Sequence, residues 1–339
     1  MNAHAFQWPR RLDLAVLPTP LQRLQRTGKR LGVDLWVKRD DMTGMALSGN
    51  KIRKLEFALA DALDKKADVV LTCGGQQSNH ARATAVAAAR IGIGCVLILR
   101  TPDPSNPPPL TGNLLLDRMA GARVVWITPE EYRSRAAIFE RECAALRSRG
   151  LVPYVIPEGA SYAPGAWGYI AAMRELKEDF SRIGTTPAIV LATGSGGTAA
   201  GLILGARLFG IAARVVCVNV CNDADYFRRA IGDICDAVIA AYRLPIDIDR
   251  EKDIEIVDGY VGRGYALSRP EELALICDLA RNEGLYLDPV YTGKAFYGMA
   301  AELAKDPRRF GDTILFLHTG GLFGLFPKAE EIAAVLKGP

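Results

Sequence analysis

The stretch Ser48-Gly49-Asn50-Lys51-Ile52-Arg53-Lys54-Leu55-Glu56 decides how the rest of the chain is read. A small, flexible Ser-Gly-Asn turn delivers Lys51, and an amphipathic run follows at once. Ile52, Leu55, Leu59, Ala62 and Leu63 recur near the helical period, so the spacing predicts a helix of about 14 residues that Lys51 opens. Lys54 falls one turn on, on the same face. Backbone N–H groups are unpaired in the first turn of a helix, so two amines there make a place for an anion and a carbonyl compound. A lysine so placed forms a Schiff base once its surroundings lower the amine pKa. The plainer alternative is a pair of surface lysines on a solvated helix face.

Outward from this stretch, strands and helices alternate. Upstream, Pro9, Pro18 and Pro20 precede a short helical pattern that ends at Gly32, and Asp34–Lys38 is strand-like. Downstream, strands are expected at Val69–Thr72, Cys95–Leu99, Arg123–Ile127, Pro153–Ile156, Ala188–Ala192, Arg214–Val220 and Ile314–Leu317. Helices fit Ser78–Ile91, a stretch ending at Ala120, Glu130–Arg149, a run starting at Pro164-Gly165, Ala199–Leu208, and about 225–242, 270–283, 294–304 and 328–337. Thr101–Pro109, with its run of prolines, is a loop or lid. Strands separated by helices of this length imply an α/β protein with parallel sheets. A domain boundary fits near residue 160, on the aromatic-rich Gly159–Trp167 loop.

Composition narrows the function. The 339 residues suit one large or two closely packed α/β domains, and 49% hydrophobic with 24% charged residues is ordinary for a water-soluble globular protein. A net charge of +4 without a basic block argues against nucleic acid as a partner. No apolar run reaches membrane-spanning length, and Met1–Arg11 lacks the apolar core of a secretion signal. Seven scattered cysteines, mostly in apolar runs, fit reduced thiols in the cytoplasm, and none has partners at metal-ligand spacing, so no metal site is expected.

Two further turns carry chemistry. Thr193-Gly194-Ser195-Gly196-Gly197-Thr198 joins a buried strand to a helix. Its glycines let the backbone close around a phosphate, while N–H groups and the Ser195 and Thr198 hydroxyls donate. It has neither the Lys-Ser/Thr of a nucleotide-phosphate loop nor the glycine spacing of a dinucleotide site. Cys73-Gly74-Gly75-Gln76-Gln77-Ser78-Asn79-His80 is a second strand–turn–helix anion site, where N–H groups suit a carboxylate. Ser78 suits proton relay and the Asn79 amide a phenolic oxygen, although helix capping accounts for both residue types equally well. Near the end of the chain, Tyr291 suits stacking on a flat ring, Thr292 a ring nitrogen, and Tyr265 a reach into the pocket from its own loop.

Taken together, S-G-N-K-I-R-K-L-E, G-G-Q-Q-S-N-H-A-R, T-G-S-G-G-T-A-A-G, L-D-P-V-Y-T-G-K and H-T-G-G, in that order, resemble the D-cysteine desulfhydrase / 1-aminocyclopropane-1-carboxylate deaminase family of pyridoxal-phosphate enzymes. The resemblance implies the tryptophan-synthase-β-like fold (fold type II), with two open, twisted, mostly parallel sheets flanked by helices. It implies a large cofactor domain of residues 1–50 plus 161–339, a small domain of residues 51–160, and a homodimer. Carried over residue by residue, it makes Lys51 the Schiff-base lysine. Lys54 with Gly194, Ser195, Gly196, Gly197 and Thr198 becomes the phosphate cradle, and Asn79 the partner of the ring hydroxyl. Tyr291 flanks the ring, Thr292 meets its nitrogen, and Ser78 with Tyr265 acts on the substrate. Gln77, His80, Tyr162 and Thr319 complete the substrate side.

Within that family, ring-opening deaminases resemble one another in having a glutamate after the tyrosine, where this chain has Thr292. A neutral partner leaves the ring nitrogen largely unprotonated and the cofactor a weaker electron sink, which suits β-elimination from a D-cysteine-like amino acid. Deamination of the cyclopropane, a sulfo-lyase reaction on cysteate, and a biosynthetic, non-eliminating role are the alternatives. Ser48 replaces a glycine usual in the family, and Tyr162, Trp167 and Phe323 are bulky departures expected either to reshape the substrate side of the pocket or to repack the core around it.

Overall fold

Ten strands form in the computed structural model, which describes residues 6–337. Part of the Met1–Arg11 expectation, and the outermost residues of the expected large domain, lie outside the described residues. In chain order the strands are β1 (Leu21–Arg23), β2 (Asp34–Lys38), β3 (Val69–Gly75), β4 (Gly94–Arg100), β5 (Arg123–Ile127), β6 (Pro153–Val155), β7 (Ala188–Thr193), β8 (Val215–Asn219), β9 (Glu255–Val257) and β10 (Thr313–Leu317). They sort into two sheets. The smaller has the order β5-β4-β3-β6 and is parallel throughout. The larger has the order β1-β2-β10-β7-β8-β9, with only the β1–β2 pair antiparallel.

The strands read as apolar runs because helices cover both faces of each sheet. Ile189 and Leu191 of β7 point into one core, and Val190 into another. The expected α/β architecture is thus present, and most expected elements form within one or two residues of their expected ends. The exceptions are short. β1, β9 and the helix Arg250–Asp253 were not expected, and Glu130–Arg149 is not one helix: a tight turn at Glu131–Ser134 precedes the helix Arg135–Arg147.

The helix Lys51–Asp64 joins the two sheets. Ile52, Leu55 and Leu59 pack into the core of the smaller sheet with Val70, Leu97 and Leu99. Phe57 enters the core of the larger one with Trp167 and Ile170. The lysine helix meets the helix Ala163–Ile183 backbone to backbone at Gly168, where a Cβ would lie 2.5 Å from the Arg53 carbonyl.

A buried ionic network fixes the same helix. The Arg53 guanidinium pairs with Asp40 at 2.8 Å and Glu175 at 2.9 Å, while Lys38 at the end of β2 pairs with Glu175 and Asp179, each at 2.6 Å. Tyr169 donates its hydroxyl to Asp40, and Thr19 bonds the same carboxylate. Two residues from Lys51, every charge is matched, as burial requires.

The bulky departures repack the core. Trp167 is fully buried, with Trp8 at 5.2 Å and Tyr242 at 5.1 Å between ring centroids. Tyr162 turns its hydroxyl to Tyr154 at 2.9 Å, and Phe323 lies beneath the Arg82 guanidinium. None of the three lines the cavity described next, so the expectation of Tyr162 as a substrate contact is corrected.

Candidate active site

Parallel sheets open their ligand crevices at the carboxyl ends of the strands. Here the ends of β3, β4, β6, β7, β8 and β10 converge on one cavity, and Lys51 lies between the two sheets. Among the lining residues are Lys51, Ser78, Asn79 and His80 from the smaller-sheet side. Gly194, Ser195, Gly196, Thr198, Tyr265, Tyr291 and Thr319 line it from the larger-sheet side. Motifs far apart in sequence are therefore neighbours in space.

Lys51 opens its helix as expected, and the amine has no protein partner among the described residues. Burial pushes its pKa down to about 8, with the nearby Glu158 carboxylate opposing the shift. The amine is thus poised as a nucleophile close to neutral pH. Asn50 ties this turn to the glycine loop, its side-chain amide donating to the Thr198 hydroxyl at 3.0 Å.

At Gly194–Thr198 the chain turns sharply from β7 into the helix Gly197–Leu208, with Gly196 in the left-handed region at φ +81°. Gly197 admits no side chain, since a Cβ would lie 2.6 Å from the Lys54 amine. Lys54 does not reach the cavity itself. It is fully buried behind the turn and donates to Ser161 Oγ at 2.9 Å. That oxygen accepts from the Gly197 N–H and donates to Ser195 Oγ at 2.8 Å. Burial first, then the charge of Lys51, drive the Lys54 pKa well down. A buried amine with no carboxylate partner among the described residues, backing a cup of N–H groups at a helix start, fits an anion in that cup.

At the second turn, Ser78 caps the helix Asn79–Ile91, its Oγ accepting from the Ala81 N–H at 3.1 Å. The capping role is real, and it leaves the Ser78 hydroxyl proton free toward the cavity. Arg82 donates to Asn113 Oδ1 at 3.1 Å, which turns the Asn113 amide NH2 to the Asn79 side-chain oxygen at 2.9 Å. The Asn79 NH2 is left to donate into the cavity. His80 is structural: its Nε2 meets Thr72 Oγ1 at 2.8 Å, and burial keeps the ring neutral by pushing its pKa well down. Gln77 is a correction. Its amide binds the Thr111 carbonyl and the Asn113 N–H, anchoring the chain beyond the proline-rich loop and not lining the cavity.

On the opposite wall, the Tyr265 and Tyr291 hydroxyls are 2.5 Å apart. Burial raises both, Tyr265 to about 12 and Tyr291 well above its ordinary value, so both keep their protons at neutral pH. Thr292 is the second correction. It is fully buried, its hydroxyl donating to the Asp288 carboxylate at 2.7 Å and accepting from the Asp288 N–H at 2.8 Å. It closes a turn and does not line the cavity. The loop after β10 puts Thr319 on the wall, and among the described residues lining that side there is no carboxylate. Two charged lining residues, Arg100 and Glu158, were missed in the sequence. Arg100 ends β4 and Glu158 follows β6, which is the signal that could have found them.

A lysine of lowered pKa facing an anion cup, with tyrosines and amide donors around it, is the equipment of an enzyme that holds a phosphorylated aldehyde as an imine. The comparisons agree. The sequence profile of the family described as "Pyridoxal-phosphate dependent enzyme" matches residues 12–320, and the chain belongs to that family. Its cofactor is pyridoxal 5'-phosphate. Over 96% of its length the chain is 44% identical to the mitochondrial bifunctional D-cysteine desulfhydrase/1-aminocyclopropane-1-carboxylate deaminase of Arabidopsis thaliana, covering 81% of that protein. It is 39% identical to the D-cysteine desulfhydrase of Serratia proteamaculans, covering 96% of this chain and 98% of the relative. The crystal structure of an ACC deaminase homologue superposes with a TM-score of 0.87 at 34% identity, covering 96% of each chain. The fold is accordingly fold type II, tryptophan-synthase-β-like.

Proposed function

We propose that this enzyme is a lyase that eliminates the β-substituent of a small amino acid, in the manner of a D-cysteine desulfhydrase, yielding a 2-oxo acid, ammonia and the leaving group. The observation that carries the reading is the Lys51 amine, lowered to about 8 and turned into a cavity beside the glycine cup. When bound, pyridoxal phosphate supplies an electron sink for the α-carbon. The protein's residues do the rest. The cup, backed by the buried Lys54 amine, would hold the phosphate, Asn79 would donate to the ring oxygen, and Tyr291 would flank the ring. N–H groups that open the helix at Ser78–His80 hold the substrate carboxylate. The Lys51 amine takes the α-proton, and Ser78 or Tyr265 relays protons within the pocket. On the larger-sheet side the lining residues include Thr319 and no carboxylate, so none there would keep the ring nitrogen protonated, which supports elimination over cyclopropane deamination.

The same reading divides the chain into a small domain of residues 51–160 and a large one of residues 1–50 plus 161–339. It makes the enzyme a cytoplasmic homodimer with a small amino acid as substrate. Seven unbonded cysteines, six of them buried, are in keeping with a reducing compartment, and sedimentation equilibrium reads the oligomer. A panel of D- and L-amino acids, scored for pyruvate, ammonia, sulfide and sulfite, tests the activity. Pyruvate and ammonia from a β-substituted substrate are expected. Turnover of the cyclopropane alone, or of nothing, would overturn the proposal.

A further inference from the structure

The motif Leu287-Asp288-Pro289-Val290-Tyr291-Thr292-Gly293-Lys294 ends on a residue that the roles above leave without a task. Lys294 is fully buried and is not among the residues lining the cavity. Its amine donates to three backbone carbonyls, those of Val261 at 2.6 Å, Gly264 at 2.7 Å and Leu267 at 2.9 Å. A neutral amine has two hydrogens, so three accepting carbonyls call for the charged ammonium, whose three donors they use up. A charge taken out of water needs such partners, and here the carbonyls of one short loop replace the water.

Those carbonyls belong to the segment that carries Tyr265. It connects β9 to the helix Pro270–Glu283 and is exposed at Gly262, Arg263 and Leu267. Two turns fold it, closed by the Gly264 N–H on the Val261 carbonyl at 3.4 Å and the Leu267 N–H on the Gly264 carbonyl at 3.2 Å. Ala266, next to Tyr265, has φ +59°, a left-handed conformation that a residue with a Cβ keeps only where its surroundings impose it. Ser268 holds the end of the segment, its hydroxyl donating to the Pro289 carbonyl at 3.0 Å. The loop is thus strained and partly exposed, and its inward carbonyls converge on one nitrogen.

The stem of the lysine is placed to match. Lys294 stands on the first turn of the helix Thr292–Lys305, three residues after Tyr291, so both side chains spring from one rigid element. On the cavity side that element meets the loop again, through the Tyr265 and Tyr291 hydroxyls at 2.5 Å. We propose that Lys294 is a positioning residue for Tyr265: its ammonium ties the Val261–Leu267 loop to the helix that follows Tyr291, and so holds the Tyr265 hydroxyl against Tyr291 in the cavity. The proposal rests on the reading of Tyr265 as a proton relay and adds what keeps that relay in place. Proton transfer needs its partners within hydrogen-bond reach, and a displacement of about 1 Å costs on the order of a hundredfold in rate. Without the ammonium, three carbonyls turn inward with no donor, and the loop reopens to water.

The test is a double-mutant cycle on the cofactor-loaded enzyme with β-chloroalanine as substrate, joined to amide hydrogen exchange. Lys294→Met should lower kcat at least about tenfold with the imine absorbance kept, while the same change made in Tyr265→Phe should lower it less than about twofold further. In Lys294→Met the amides of residues 262–267 should exchange at least about tenfold faster, and those of the helix Lys51–Asp64 at the wild-type rate. A general packing role would slow both backgrounds alike and loosen both regions. Equal losses in the two backgrounds, an unchanged kcat in Lys294→Met, or unchanged exchange in the loop overturns the proposal. Full turnover by Tyr265→Phe overturns it together with the relay role of that tyrosine, whereas a slow Tyr265→Phe beside a fast Lys294→Met overturns the tether alone. No turnover by the wild type overturns the lyase reading, and exchange then decides the tether by itself. Where Lys294→Met fails to fold, the wild type decides. Its residues 262–267 should exchange at least about tenfold more slowly than the exposed Ser105 and Asn106, and equal rates overturn the tether.

Discussion

At the scale of single residues, Lys51 carries the account. An ordinary lysine titrates at 10.5, but burial brings this one to about 8. At pH 7 about a tenth of it is unprotonated, against well under a thousandth for an exposed lysine. Acylation of Lys51 in cofactor-free enzyme, followed by peptide mapping, should rise with pH around a midpoint near 8, and a rise only above pH 10 would contradict the burial argument. Lys51, Ser78, Asn79 and Tyr291 were legible as cavity residues because each opens or caps a helix, where side chains meet a crevice, while Tyr265 reaches the wall from a loop. Gln77, Thr292 and Tyr162 were misread because sequence does not say which neighbour takes a polar group. Thr292 is consumed by Asp288, and Gln77 by the backbone of Thr111 and Asn113.

At the scale of elements, the lysine helix is held by its contacts with the helix Ala163–Ile183. Arg53→Met would leave Asp40 and Glu175 buried without their cation, and should cost about 3–5 kcal/mol in denaturant unfolding. Burial alone would raise the Glu175 carboxyl, but its bonds and charge with Arg53 and Lys38 outweigh that and hold it at about 2, below the ordinary 4.5. Between those values the unfolded chain binds more protons, so stability rises with pH. The contribution, on the order of 3 kcal/mol, is full above pH 4.5 and lost as pH falls toward 2. Arg53→Met should flatten this acid limb of the stability profile. Gly168→Ala drives a methyl into the Arg53 carbonyl and should cost about 1–3 kcal/mol while loosening cofactor retention, read by thermal unfolding and dialysis. None of these pairings was legible in the sequence, because Lys38, Arg53 and Glu175 are far apart in the chain and ordinary in type.

At the scale of the molecule, the two sheets meet at the cavity, and a ligand gripped from both sides stabilises the whole. Pyridoxal phosphate at a hundredfold excess over its Kd should add about 2.7 kcal/mol, seen as a higher Tm by calorimetry. Lys51→Ala should keep part of that shift, since the phosphate cup remains. No shift in either protein would contradict the cup. The alternation of apolar strands and amphipathic helices made the fold class legible. β1 and β9 were not, because each is three residues long at a sheet edge and forms only where its neighbour supplies the ladder.

The most direct test of the central claim is borohydride reduction of the enzyme loaded with pyridoxal phosphate, followed by peptide mass mapping. The account predicts that the 339-residue chain gains one pyridoxyl group, on the peptide containing Lys51, with the absorbance of the imine lost in step. Label on another lysine, or none on an enzyme that still turns over its substrate, would contradict it.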